Sequence, residues 1–130
     1  KRPMRLWEAQ KICPSLICLP SDYETYSLIS KRMFEIIRRF TPTIEEYSID
    51  EAFAELSGLR RLHRAGYPEI AWKIKQTVQQ ELGFTVSVGL SASKTLAKIA
   101  SKEKKPDGFF VMRASERHLV LRKVVLERFC

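Results

Sequence analysis

Cysteine, histidine and long apolar runs are scarce in this sequence, and each scarcity removes a class of function. There are three cysteines and two histidines in 130 residues. Cys13 and Cys18 flank a short apolar stretch, Cys130 stands alone, and His63 and His118 are isolated, so no Cys/His set completes a zinc site. The odd cysteine count fits reduced cytosolic thiols that act as small hydrophobes. No apolar run approaches the roughly 18 residues that suggest a membrane span. No signal-peptide pattern opens the chain, and there is no internal repeat or low-complexity segment. The expected setting is the cytoplasm, away from membranes.

What remains is an ordinary globular composition, with 45% hydrophobic and 29% charged residues, long enough for one domain with a core. The net charge of +8 is unevenly spread. Residues 91–130 hold ten Lys/Arg against four Asp/Glu, whereas residues 31–58 hold four against six. An acidic spot thus precedes a basic tail. Concentrated basic charge fits a polyanionic partner, since binding releases counterions; a solvated basic surface is the plainer alternative. The chain opens at Lys1 without Met and closes at Cys130 straight after a helical pattern, so both ends are expected to be boundaries within a longer protein.

Periodicity predicts the elements. Residues 5–12 suit a short helix stopped by Pro14, and 15–19 a short strand. Ser21 and Glu24 form a capping-box pattern. Tyr26, Ile29, Met33, Ile36, Ile37 and Phe40 then line one face of a helix of about five turns, ended by Thr41-Pro42. Residues 44–49 and 52–56 alternate as two strands. Residues 59–66 read as a basic loop with Arg60, Arg61 and Arg64. Pro68 suits a first helical position, and Ile70, Ala71, Ile74, Val78 and Leu82 make a second amphipathic helix that stops at Gly83. Residues 84–90 alternate as a strand. Ser91 or Ser93 can cap a helix over 94–103, Pro106-Asp107-Gly108 turns, and Phe109–Met112 is a short buried strand. A last helix starts at Ser115 and carries Leu119, Leu121, Val124, Val125 and Phe129.

From residue 22 this order is α-β-β-α-β followed by α-β-α. With one strand added in front it becomes β-α-β-β-α-β, the ferredoxin-like split unit of the α+β class. In that fold the first strand is central. Without it, the strands over 52–56 and 84–90 face a slot with unpaired backbone groups. The missing strand is expected upstream of Lys1.

Three segments could carry chemistry. Asp50 and Glu51 are adjacent acids where two strand patterns meet. Neighbouring carboxylates repel, so either a cation lies between them or both face water. Mg²⁺ prefers such hard oxygen donors, and one or two acids plus substrate phosphates suffice to hold it. Ser91-Ala92-Ser93-Lys94-Thr95-Leu96-Ala97-Lys98 follows a strand and opens a helix. Its helix-start N–H groups, hydroxyls and two lysines one turn apart can hold a phosphodiester backbone; the plain alternative is a capped helix with a solvated lysine face. It lacks the glycines of a Walker loop. Lys105, fixed just before Pro106, could meet a triphosphate, or belong to an ordinary polar loop.

Together these residues carry a family resemblance. Tyr47-Ser48-Ile49-Asp50-Glu51-Ala52-Phe53, Ser87-Val88-Gly89-Leu90-Ser91, Lys94, Leu96-Ala97-Lys98-Ile99-Ala100-Ser101 and Lys105-Pro106-Asp107-Gly108 resemble the Y-family translesion DNA polymerases. The similarity is greatest to the DinB (polymerase IV) branch; the UmuC branch shares much of the same motif. The resemblance runs from Lys1 to about Met112. It implies an incomplete ferredoxin-like palm over 22–112, the end of the fingers over 1–21 and the start of the thumb over 113–130. Asp50 and Glu51 would be catalytic metal ligands for two Mg²⁺ ions, with Ser48 as a supporting residue. Lys105 would contact the incoming triphosphate. Ser93, Lys94 and Lys98 would lie near the DNA backbone. The implied partners are primer-template DNA, deoxynucleoside triphosphates and, through regions outside this chain, a sliding clamp.

The departures matter equally. The family's Asp-rich first strand, with its further metal-binding Asp and ribonucleotide-excluding bulky residue, does not occur here. Neither do the fingers' Tyr and Arg that grip the triphosphate. The chain is therefore expected to be an inactive fragment of a polymerase. Other readings are a non-catalytic Y-family paralogue, against which Asp50-Glu51 speaks, and an RNA-binding ferredoxin-like domain, whose paired aromatic strand motifs are not visible. A nucleotide cyclase would need a Gly-Gly-acid-acid-Phe hairpin that is absent.

Overall fold

The computed structural model describes residues 4–113 and Ser115. The helix expected from Ser115 lies otherwise outside the described residues, as does nearly all of the proposed thumb segment 113–130. The elements run α1 (Leu6–Ile12), α2 (Tyr23–Arg38), β1 (Ile44–Ser48), β2 (Glu51–Ala54), α3 (Arg60–His63), α4 (Tyr67–Leu82), β3 (Val88–Leu90), α5 (Lys94–Glu103) and β4 (Phe109–Val111). The α+β class is borne out. Among the described residues no helix is long and apolar enough to cross a membrane.

Helices α2 and α4 form because their apolar residues recur at helical spacing, and the same spacing packs them together. Met33, Phe34 and Ile36 of α2 meet Val78 of α4. Ile70, Ala71 and Ile74 of α4 bury with Leu56, against Val88 and Leu90 of β3. Asp22, rather than the expected Ser21, caps α2. Its carboxylate accepts from the Thr25 N–H at 3.0 Å and from the Thr25 hydroxyl at 2.6 Å. Those bonds hold the Asp22 carboxyl below its ordinary value, the hydroxyl contributing most. At the start of α4 the Glu69 carboxylate accepts from the Gly66 N–H at 2.8 Å, and Pro68 follows Tyr67 within the first turn.

Among the described residues the strands form two separate two-stranded sheets. β1 and β2 are antiparallel, with Ile44 opposite Ala54 and Ser48 opposite Glu51; the register shifts between Glu46 and Ser48, at Tyr47. β3 and β4 are parallel, with Gly89 opposite Phe110. The connection between them is α5, the crossover that a parallel pair needs. Period-two alternation gives β3 two covered faces: Val88 and Leu90 point to α4, and Gly89 lies against α5. A Cβ at Gly89 would enter the backbone of Ala97, Ala100 and Ser101, so only glycine allows this approach.

Four further sequence expectations are corrected. Residues 15–19 form no strand and remain exposed, with Ile17 and Leu19 each 83% accessible; no ladder partner reaches them. The stretch 84–90 pairs only over Val88–Leu90. Phe84 and Val86 pack on the core without joining a sheet. The loop over 59–66 contains the short helix α3, closed by Arg64 at φ 49. Of the pair over 44–49 and 52–56, the first strand stops at Ser48 and the second runs from Glu51 only to Ala54, and Ile49-Asp50 makes the turn.

Between the two sheets lies a cleft of about 820 Å³. Ala52, Phe53 and Ala54 of β2 line one side, Phe84 to Gly89 the other, with Met33, Ala71, Ile74 and Val78 beneath. The expected topology puts its slot between the strands over 52–56 and 84–90, and residues of both segments line this cleft.

Candidate active site

The β1–β2 hairpin brings its acids to the mouth of the cleft. Because Ile49-Asp50 forms the turn and Glu51 opens β2, the two carboxylates leave the hairpin at its tip. Ser48 Oγ donates to Asp50 Oδ1 at 2.7 Å, which orients that carboxylate from within the same hairpin. Tyr47 and Phe53 meet edge to face at 5.6 Å and stiffen the hairpin behind the acids. Asp50 is exposed and Glu51 half-buried.

Helix α5 supplies the facing cations. Ser93 is its N-cap, accepting from the Leu96 N–H at 3.4 Å. Lys94 and Lys98 stand one turn apart, as the sequence predicts, and both reach the hairpin. Lys98 forms an ion pair with Glu51, its Nζ lying 5.3 Å from the Tyr47 ring centroid. Lys94 pairs with Glu45, 6.0 Å from the Phe53 ring centroid. The helix start is therefore docked onto the acidic hairpin rather than free in solvent. Neither Glu45 nor the partnering of Glu51 was evident from the sequence.

Lys105 enters from the loop between α5 and β4. It is exposed, and it lines the cleft with Pro106, Asp107, Asp50, Glu51 and Lys98. Among the described residues no acid pairs with it. Asp50, Glu51, Lys98 and Lys105 thus converge on one cleft, while Ser93 and Lys94 do not line it. One residue at this edge escaped the sequence reading. Lys75 is buried on α4 and pairs with Asp107. Its signal was available: it occupies the i+4 place after Ala71 in the buried stripe Ala71, Ile74, Val78.

The donor set suits a hard divalent cation. Two carboxylates and a supporting hydroxyl offer only oxygen, the donor type of Mg²⁺. Among the described residues, however, no third His, Cys, Asp or Glu joins them in a metal-sized cluster.

The chain is similar to proteins of one family. A model of the impB/mucB/samB family matches residues 1–102. The DNA polymerase IV of Moorella thermoacetica is 42% identical over 113 residues, which cover 86% of this chain and 28% of that protein. The structure of DinB from Sulfolobus solfataricus superposes with a TM-score of 0.77 at 33% identity, over 89% of this chain and 34% of that one. An insertion ternary complex of Dbh DNA polymerase matches with the same TM-score, identity and coverage. The chain therefore spans about a third or less of the proteins it matches. By the family match and these similarities, this chain belongs to the impB/mucB/samB family of Y-family DNA polymerases.

Proposed function

We propose that the protein containing this chain is a template-directed DNA polymerase that extends primers past damaged bases, and that this chain is part of its catalytic core. The observation that carries the reading is the convergence of Asp50, Glu51 and Lys105 on one cleft from separate elements. A similar structure is an insertion ternary complex of a DNA polymerase, which fits primer-template DNA and a deoxynucleoside triphosphate as the ligands here.

In this reading residues 22–112 are palm, 1–21 the end of the fingers and 113–130 the start of the thumb. Asp50 and Glu51 hold divalent cations. Two bound Mg²⁺ ions supply activation of the primer hydroxyl and neutralisation of the leaving phosphates. Ser48 keeps the Asp50 carboxylate oriented by donating to it. Lys105 sets a positive charge against the triphosphate. Ser93, Lys94 and Lys98 offer a helix start and two ammonium groups to the DNA backbone, and DNA phosphates would draw the lysines from Glu45 and Glu51.

The test is primer extension by the full-length protein with Mg²⁺. Asp50→Ala and Glu51→Ala should each reduce extension on the order of a thousandfold while primer-template binding survives. Normal extension by both variants sinks the metal-ligand assignment. The 130-residue chain alone should incorporate nothing, because its described acid cluster stops at two members.

A further inference from the structure

Lys75 is the single charged side chain buried among the described residues, at 3% exposure. It shares its face of α4 with Ala71, Ile74 and Val78, all core residues. An apolar side chain would serve that face at least as well, since a buried ion pair seldom stabilises more than well-packed hydrophobes. The charge at this position therefore has another use, and its contacts point to one. Lys75 Nζ pairs with the Asp107 carboxylate and lies 5.7 Å from the Trp72 ring centroid. Trp72 in turn meets Phe109, the first residue of β4, edge to face at 5.2 Å.

Asp107 belongs to the turn that carries Lys105. Its φ of 53 places it in the left-handed region, which Asp and Asn enter more readily than most residues. The next residue is clamped as well. The Gly108 N–H donates to Ser87 Oγ at 3.1 Å, and the Gly108 carbonyl accepts from the Val88 N–H at 2.9 Å. A Cβ on Gly108 would strike the Lys104 backbone. The turn is thus held by β3 at Gly108 and by α4 at Asp107. Lys105, two residues earlier, faces the cleft that Asp50 and Glu51 also line.

We propose that Lys75 is a positioning residue for nucleotide binding: through Asp107 it fixes the Lys105–Gly108 turn so that Lys105 meets the incoming triphosphate. This rests on the assignment of Lys105 made above. Lys75 itself touches no substrate. Its ammonium acts on the turn, and the turn presents the cation.

The experiment uses the full-length polymerase and compares Lys75→Met, Lys75→Arg, Asp107→Asn and Lys105→Ala in single-nucleotide incorporation. Asp107→Asn keeps a residue suited to positive φ, and the Asp107 side chain is 45% exposed, so this variant folds even where Lys75→Met does not. Lys75→Met and Asp107→Asn should raise the nucleotide KM about tenfold with a much smaller change in kcat and unchanged primer-template affinity. Lys75→Arg, which keeps the charge, should restore most of the KM. Adding Lys75→Met to Lys105→Ala should produce little further loss, as for two residues acting through one another. Hydrogen exchange reads the turn without reference to activity: the Gly108 and Val88 amides should exchange faster in Asp107→Asn while the α4 amides do not.

A raised KM in Lys105→Ala, with none in Lys75→Met or Asp107→Asn, overturns the proposal and leaves the polymerase reading intact. Unchanged exchange at Gly108 and Val88 overturns it too. An unaltered KM in Lys105→Ala overturns the assignment of Lys105 and this inference with it. Failure of the unmodified protein to extend a primer removes the polymerase reading itself.

Discussion

Lys98 of helix α5 forms an ion pair with Glu51 at the tip of the β1–β2 hairpin. The pairing answers the question that two adjacent acids raise. Asp50 and Glu51 do not simply face water together. Asp50 is held by the Ser48 hydroxyl, and Glu51 is neutralised by an ammonium group from another element. With Lys94 on Glu45, the same contacts dock the start of α5 on the acidic hairpin.

Those ion pairs bear on DNA binding. Lys94→Ala and Lys98→Ala in the full-length polymerase should each weaken primer-template affinity and lower the salt slope of binding by about one. The check is affinity measured across a salt series. A lysine that stays in its acid pair when DNA binds releases no counterion, so an unchanged slope would assign that lysine to the hairpin alone.

Gly89 should tolerate no side chain. Gly89→Ala places a methyl group in the backbone of α5, and overpacking of this kind costs about 1–3 kcal/mol. Thermal melting should report the loss. A variant as stable as the parent would show that α5 can lift from β3 without penalty.

The Asp22 cap should make α2 sensitive to acid. The Thr25 hydroxyl and N–H hold the Asp22 carboxyl below its ordinary value of 3.8. A group depressed in the folded state stabilises it fully above the unfolded value, and that contribution is lost as pH falls through the depressed one. Asp22→Asn, which can still cap, should flatten this part of the pH dependence, and Asp22→Ala should lower the melting temperature at neutral pH. Melts taken from neutral pH down through the carboxylate range check both.

Much of the fold was legible because local physics writes it directly. Ile70, Ala71, Ile74 and Val78 recur at helical spacing, so α4 and its buried face follow from the sequence. The acid pair was visible as a feature at a strand junction, and Ser91 or Ser93 as a helix start. The strand over 15–19 failed for a reason the sequence does not encode. Alternation says which face a segment would bury, but a strand exists only where a neighbour accepts its hydrogen bonds. Residues 84–90 show the same limit, since their apolar side chains pack as expected while only Val88–Leu90 finds β4.

The sequence by itself determined α1, α2, α4 and α5, the acidic hairpin, the basic helix start and the Lys105-Pro106 turn, and in their order the family they resemble. Each of these segments depends on residues close to one another in the chain. Tertiary structure alone decided that Glu51 meets Lys98, that Glu45 meets Lys94 and that buried Lys75 grips Asp107. Charge attraction has no memory of chain distance. Its partners are chosen by which elements the apolar core brings side by side.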